Sequence, residues 1–233
     1  KIISDTYKDR YEEMLEKYED EDIAKDPAFH NFQLPEGCLW EDIRATKSNL
    51  DQKINEVFNQ IEKENPDKLQ GVFRANFVDA DGLTHPVLKE LIEHLSSRNL
   101  SMEKVSPDLL GEGYMDMVKY FATEEGRQGG EFFTPSKIVK LVIDIIDPHE
   151  KGASIYDPTC GSAGMLVEAA EHMKRKDKDP STLQLYGQEV NPNIYSIAKM
   201  NIYIHNLNGY IEREDTLRSP QFTDNSSLQQ FDY

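Results

Sequence analysis

The sequence predicts an α/β protein in two parts: a helical amino-terminal domain over residues 1–108, then the first part of a doubly wound parallel sheet over 109–233. Three observations point there. Apolar residues recur at helical spacing through the first part. From Lys151 onward, short apolar runs alternate with helical ones. Between the first such pair lies Asp157-Pro158-Thr159-Cys160-Gly161-Ser162-Ala163-Gly164-Met165-Leu166, a small-residue turn joining a strand to a helix.

In chain order, residues 1–22 form one charged helical run carrying Ile3, Tyr7, Tyr11, Met14, Leu15 and Tyr18. Residues 24–46, with Pro27, Pro35, Gly37 and the single tryptophan, Trp40, read as an ordered loop in which Trp40 is a packing anchor. Leu50, Ile54, Val57, Phe58 and Ile61 mark an amphipathic helix over 49–64, closed by Asn65-Pro66. Further helices are expected over 85–95, with Pro86 in its first turn, and over 107–123. No catalytic constellation appears in this part.

Gly126-Arg127-Gln128-Gly129-Gly130 reads as a connector. Thr134 is expected to cap the next helix and Pro135 to take its first position, the helix running to Ile146 and stopping near Pro148. Strands follow over 153–156, 183–190 and 210–214, with helices over 163–175 and 194–205 between them. Asn191-Pro192-Asn193 reads as the start of the second helix. Phe231-Asp232-Tyr233 reads as the opening of a fourth strand. The chain begins at Lys1 and closes on that opening, so it is expected to be a piece of a longer polypeptide.

Composition narrows the function classes. The formal net charge is −17, a surface that repels nucleic acid; action on DNA would need basic surface from elsewhere. Cys38 and Cys160 are the only cysteines and read as reduced thiols of a cytoplasmic protein. No apolar run approaches the roughly 18 residues of a membrane span. The six histidines show no metal-ligand spacing, and no Walker-type loop is present.

The chemistry concentrates at the carboxyl ends of the strands, where ligands sit in open α/β sheets. Gly161 and Gly164 allow a tight turn that brings backbone close to a nucleotide-like ligand. Glu189, ending the second strand, suits two ribose hydroxyls, or is an ordinary strand-end acid. Asp215, after the third strand, suits an adenine amino group, or caps the turn Thr216-Leu217. Cys160 has no histidine nearby in sequence to activate it as a nucleophile. A dinucleotide site fits poorly, because the glycines are spaced Gly-x-x-Gly and Glu189 comes late. An acid before the glycines, Asp157, better suits a cofactor with a cationic amino-acid portion, as S-adenosylmethionine has.

Asp157 to Gly164 resembles the cofactor loop of amino-group DNA methyltransferases. Gly129-Gly130-Glu131-Phe132-Phe133-Thr134-Pro135 resembles the segment those enzymes place before it in the gamma motif order. Together they are most similar to the modification subunit of type I restriction–modification systems. Leu34-Pro35-Glu36-Gly37-Cys38-Leu39-Trp40 and Glu62-Lys63-Glu64-Asn65-Pro66 resemble that subunit's helical domain. The resemblance implies a Rossmann-like S-adenosylmethionine-dependent methyltransferase sheet. It also implies that Glu131, Phe132, Phe133, Thr134, Pro135 and Ser136, with Ser162, Ala163 and Gly164, line S-adenosylmethionine, and that Glu189 holds its ribose. Ala163 stands where many relatives have glycine, and a negative φ is expected there.

The resemblance further implies N6-adenine methylation of DNA held through a specificity subunit, together with a restriction (translocase/nuclease) subunit and a second methyltransferase copy. The family's Asn-Pro-Pro-Tyr or Asn-Pro-Pro-Phe motif is absent: the chain contains no Pro-Pro pair, so no catalytic residue is assigned. Two alternatives stand beside this reading. One is a self-contained gamma-type enzyme; the other is a noncatalytic cofactor-binding and assembly fragment.

Overall fold

The computed structural model describes residues 1–78, 83–124, 134–224 and 227–233. The chain divides into two compact units, Lys1–Ser106 and Pro107–Tyr233.

The first unit is helical. Helix α1 spans Ile2–Tyr18 and ends where Glu19 turns left-handed; Asp20 then caps a short α2, Glu21–Ala24. The expected single run over 1–22 is therefore two helices, because the Asp20 carboxylate takes the amides of Asp22 and Ile23 and restarts the chain. The start of α1 buries polar residues: Ser4 Oγ accepts the Trp40 amide, Asp5 accepts that of Leu100, and Thr6 accepts that of Met102. Residues 24–46 hold a 3₁₀ turn, Pro27–Phe29, and α3, Trp40–Ala45, rather than only loop. Trp40 is half-buried, and its indole N–H donates to Ser96 Oγ at 2.8 Å. Helix α4, Leu50–Glu64, buries Leu50, Ile54, Val57 and Ile61. Asn65 closes it, linking both ways to the Gln33 backbone. Helices α5, Pro66–Leu69, and α6, His85–Ser96, complete the unit.

The second unit opens with α7, Pro107–Glu124, and α8, Ser136–Ile146. Strands β1, Ser154–Asp157, β2, Gln184–Gln188, and β3, Gly209–Glu212, form a parallel sheet in the order β1-β2-β3. Helix α9, Gly164–Arg175, crosses from β1 to β2, and α10, Pro192–Ile204, from β2 to β3. One sheet face carries Ile155, Leu185 and Ile211, buried against Leu166, Ala170, Ala198 and Ile202 of the two helices. The opposite face sets Tyr156, Tyr186 and Tyr210 side by side in register, covered by Phe222 and Phe231. A small antiparallel pair, β4 (Thr223–Asp224) and β5 (Ser227–Leu228), was not anticipated.

The last residues pair with β1 on the side away from β2. The Tyr233 amide donates to Ser154 O at 3.1 Å, and the Tyr156 amide donates to Tyr233 O at 3.0 Å, the alternation of a parallel pair. Residues 231–233, expected to open a fourth strand, form no regular strand here, but these bonds set them against β1.

Candidate cofactor site

The loop after β1 is built by hydrogen bonds that begin at its first residue. Asp157 Oδ1 accepts the Thr159 amide at 3.1 Å. The Cys160 amide donates to Gln188 O at 3.0 Å, and the Gly161 amide donates to Glu189 Oε2 at 3.1 Å. Glu189 Oε1 accepts the Asn191 amide at 2.7 Å, so this one carboxylate joins the ends of β1 and β2. Gly161 needs its freedom, with φ +54°.

The expectation of a negative φ at Ala163 is corrected: φ is +62° and the residue is fully buried. A left-handed alanine costs about 1 kcal/mol or more. The strain is held by the tight turn that the Ala163 amide closes on Cys160 O at 2.8 Å, ahead of the first turn of α9. The first amides of α9 have no intrahelical partner and form an anion- or dipole-binding end.

Packing beneath the loop explains Gly187, which the sequence reading passed over. A Cβ there would lie 2.8 Å from Ile211 Cδ1 and 2.9 Å from Cys160 Sγ. Cys160 is buried in this contact, and burial pushes its thiol well above the ordinary range, with Asp157 and Glu189 adding to the shift. It is a packing residue. Gln188 is also fully buried and holds the loop beyond β3, donating to Glu214 O and Ser219 O and accepting from the Gln221 amide.

A cavity of about 580 Å³ opens over the loop, within the usual size of small-molecule sites. Its wall includes Asp157, Gly161, Ser162 and Gly164 from the loop and Thr134 and Ser136 from the start of α8. Two stretches that are distant in sequence therefore meet at one cavity. Pro135 is exposed and occupies the N-cap of α8, not its first turn, so the cap expected at Thr134 falls one residue later; the expected capping is corrected. Ala163 and Glu189 are not among the residues of the cavity wall: one is buried in the turn, and the other, at the carboxyl end of β2, grips the loop amide. Glu131, Phe132 and Phe133 lie outside the described residues.

Asp215 follows its structural alternative. Its Oδ1 accepts the amides of Leu217 and Arg218, at 3.0 and 3.2 Å, so it caps its own turn and does not line the cavity.

The rest of the wall was not read from the sequence. Helix α7 contributes Asp108, Gly111, Glu112, Met115 and Asp116, and α10 contributes Asn201 and His205. Gly111 is required for the approach of α7: a Cβ would fall 2.1 Å from the His205 ring. A glycine inside a helical run was the available signal. Asn201 donates to Ser162 O at 2.9 Å, which fixes its amide, while its Oδ1 has no donor among the described residues. An unpaired buried acceptor costs about 1–3 kcal/mol, so this one is set for a partner.

Electrostatically the wall favours a cationic ligand. Burial raises the Asp157 carboxyl above its ordinary value; the Thr159 amide opposes this, and the neighbouring Glu189 charge adds to it. Among the described residues no three His, Cys, Asp or Glu side chains form a metal cluster, and no helix is long and apolar enough to cross a membrane.

Comparison with known proteins agrees with this geometry. Residues 1–95 match the HsdM N-terminal domain, and residues 105–233 match the N-6 DNA methylase family. The chain is 31% identical over 202 residues to the type I restriction enzyme MjaIX methylase subunit of Methanocaldococcus jannaschii, covering 86% of this chain and 35% of that protein. It is 29% identical to the MpnII methylase subunit of Mycoplasma pneumoniae, covering 91% and 44%. The chain thus spans less than half the length of these relatives. In fold it resembles the type I restriction-modification methyltransferase subunit of Streptococcus thermophilus, with a TM-score of 0.74 at 19% identity over 97% of this chain and 53% of that one. With the methylase model matching more than half of its residues, and that match holding every described residue of the cavity wall, this chain belongs to the N-6 DNA methylase family.

Proposed function

We propose that this chain is the cofactor-binding part of an N6-adenine DNA methyltransferase subunit of a type I restriction–modification complex. The observation that carries the reading is the meeting of Thr134 and Ser136 with Asp157, Gly161, Ser162 and Gly164 around one cavity at the carboxyl end of a parallel sheet. The names of the relatives, type I restriction enzyme methylase subunits, support the same assignment.

The residues suit S-adenosylmethionine. Its sulfonium and ammonium charges match the Asp157 carboxylate, and the amides at the start of α9 match polar acceptors. Each Glu189 oxygen spends one lone pair on a loop amide and keeps another for a ribose hydroxyl. Thr134 and Ser136 close the wall from the α8 side, with Glu131, Phe132, Phe133 and Pro135 supplying the rest of their motif. When bound, the cofactor supplies the methyl group. The protein's part here is positioning: the Glu189 clamp and the buried Cys160–Gly187 contact hold the loop in one shape before the ligand arrives. The expected division at 108/109 falls two residues earlier, at the start of α7: residues 107–233 carry this role, while 1–106 form the helical unit.

The Asn-Pro-Pro-Tyr or Asn-Pro-Pro-Phe motif is not among these 233 residues, and their acidic surface needs a basic partner to hold DNA. We assign that part to a specificity subunit, with a second methyltransferase copy and a restriction subunit completing a cytoplasmic assembly. The test is methyl transfer from labelled S-adenosylmethionine by the full-length protein with its specificity partner. Label at adenine N6 in DNA is expected; a complex that binds DNA and transfers nothing to adenine would reject the proposal.

A further inference from the structure

Asn201 stands out among the side chains of the cavity. It lies on α10, outside both motifs, and is 1% exposed. Its Nδ2 is committed to Ser162 O at 2.9 Å, so the orientation of its amide is set by the cofactor loop itself. Its Oδ1 is buried without a donor among the described residues, while the residue lines the cavity. The cavity has the matching charge. Among the described residues, six lining side chains are carboxylates and none is a lysine or arginine. Lys174 pairs with Asp108 and Glu171, and Arg175 with Glu168, whereas Asp157 has no cationic partner among the described residues. A neutral acceptor in an acidic chamber calls for a cationic group with several N–H donors.

We propose that Asn201 Oδ1 binds the α-ammonium group of the cofactor's amino-acid portion, sharing its three donors with Asp157. This rests on the S-adenosylmethionine reading above and deepens it. Through its two ends Asn201 couples the shape of the loop to recognition of the ammonium.

The test is calorimetric titration of the full-length protein with S-adenosylhomocysteine and with its deamino analogue, which keeps the carboxylate. Wild type is expected to prefer the amino ligand by roughly tenfold or more. Asn201→Leu is expected to erase that preference, and Asn201→Asp, which keeps an acceptor, to retain it. Equal weakening of both ligands by Asn201→Leu assigns the residue to loop support alone and overturns the inference, as does an unchanged preference. If Asn201→Leu does not fold, Asn201→Asp decides, and loss of the preference there is fatal. Wild type binding both ligands equally also overturns the inference while leaving the cofactor reading intact. Wild type binding neither removes the cofactor reading as well.

Discussion

Glu189 Oε2 accepts the backbone amide of Gly161 across 3.1 Å, so a residue at the end of β2 holds the shape of the loop after β1. The same carboxylate takes the Asn191 amide through its other oxygen. Glu189→Ala therefore removes a loop clamp together with the proposed ribose contact. Affinity for S-adenosylhomocysteine is expected to fall roughly tenfold or more, and Glu189→Gln, which keeps one acceptor, to lose less. Calorimetry on the full-length protein checks this; unchanged affinity in Glu189→Ala counts against the ribose role.

Gly187 has no room for a methyl group, with Ile211 and Cys160 both within 3.0 Å of the position a Cβ would take. Gly187→Ala is expected to destabilise the protein by about 1–3 kcal/mol in denaturant unfolding. Adding Cys160→Ala removes the sulfur contact and should recover part of that loss. Full additivity of the two changes would show that the contact does not set the cost.

Ala163 at φ +62° holds a backbone conformation that glycine adopts freely. Ala163→Gly is expected to raise stability by about 1 kcal/mol, with ligand affinity unchanged. A fall in melting temperature would show that burial of the Ala163 methyl outweighs the backbone strain.

Asp147 ends α8 and accepts from Lys176 and from His172, the latter at 2.7 Å. Hydrogen bonds from Lys176, then His172, lower its carboxyl from 3.8 to about 2. A depressed carboxylate stabilises the fold above its unfolded value and loses that contribution as pH falls through the folded one. The melting-temperature gap between wild type and Asp147→Asn is thus expected to be full above pH 3.8 and to close toward pH 2. A gap independent of pH would remove the charge from the explanation.

Much of the local order was legible in the sequence. Helical spacing at Leu50, Ile54, Val57 and Ile61 marked α4 because a buried helical stripe must repeat near 3.6 residues. Asn191-Pro192-Asn193 marked the start of α10 because its chemistry is local: the Asn191 side chain takes the amides of Asn193 and Ile194. Asp20, by contrast, broke an apparently continuous helix through an equally local cap that the apolar pattern masked.

What the sequence by itself determined is most of the longer elements and the loop that joins β1 to α9, since period, caps and glycines act between neighbours along the chain. Tertiary structure alone decided which acids face the cavity. Asp157 lines it, Glu189 clamps a loop amide, and Asp215 turns back on its own amides. It also brought in Gly111, Asn201 and His205 from two helices that carry no motif. The physical reason is that a side chain's partner depends on distances across the fold: Glu189 and Gly161 lie 28 residues apart, and only the pairing of β1 with β2 brings them within a hydrogen bond.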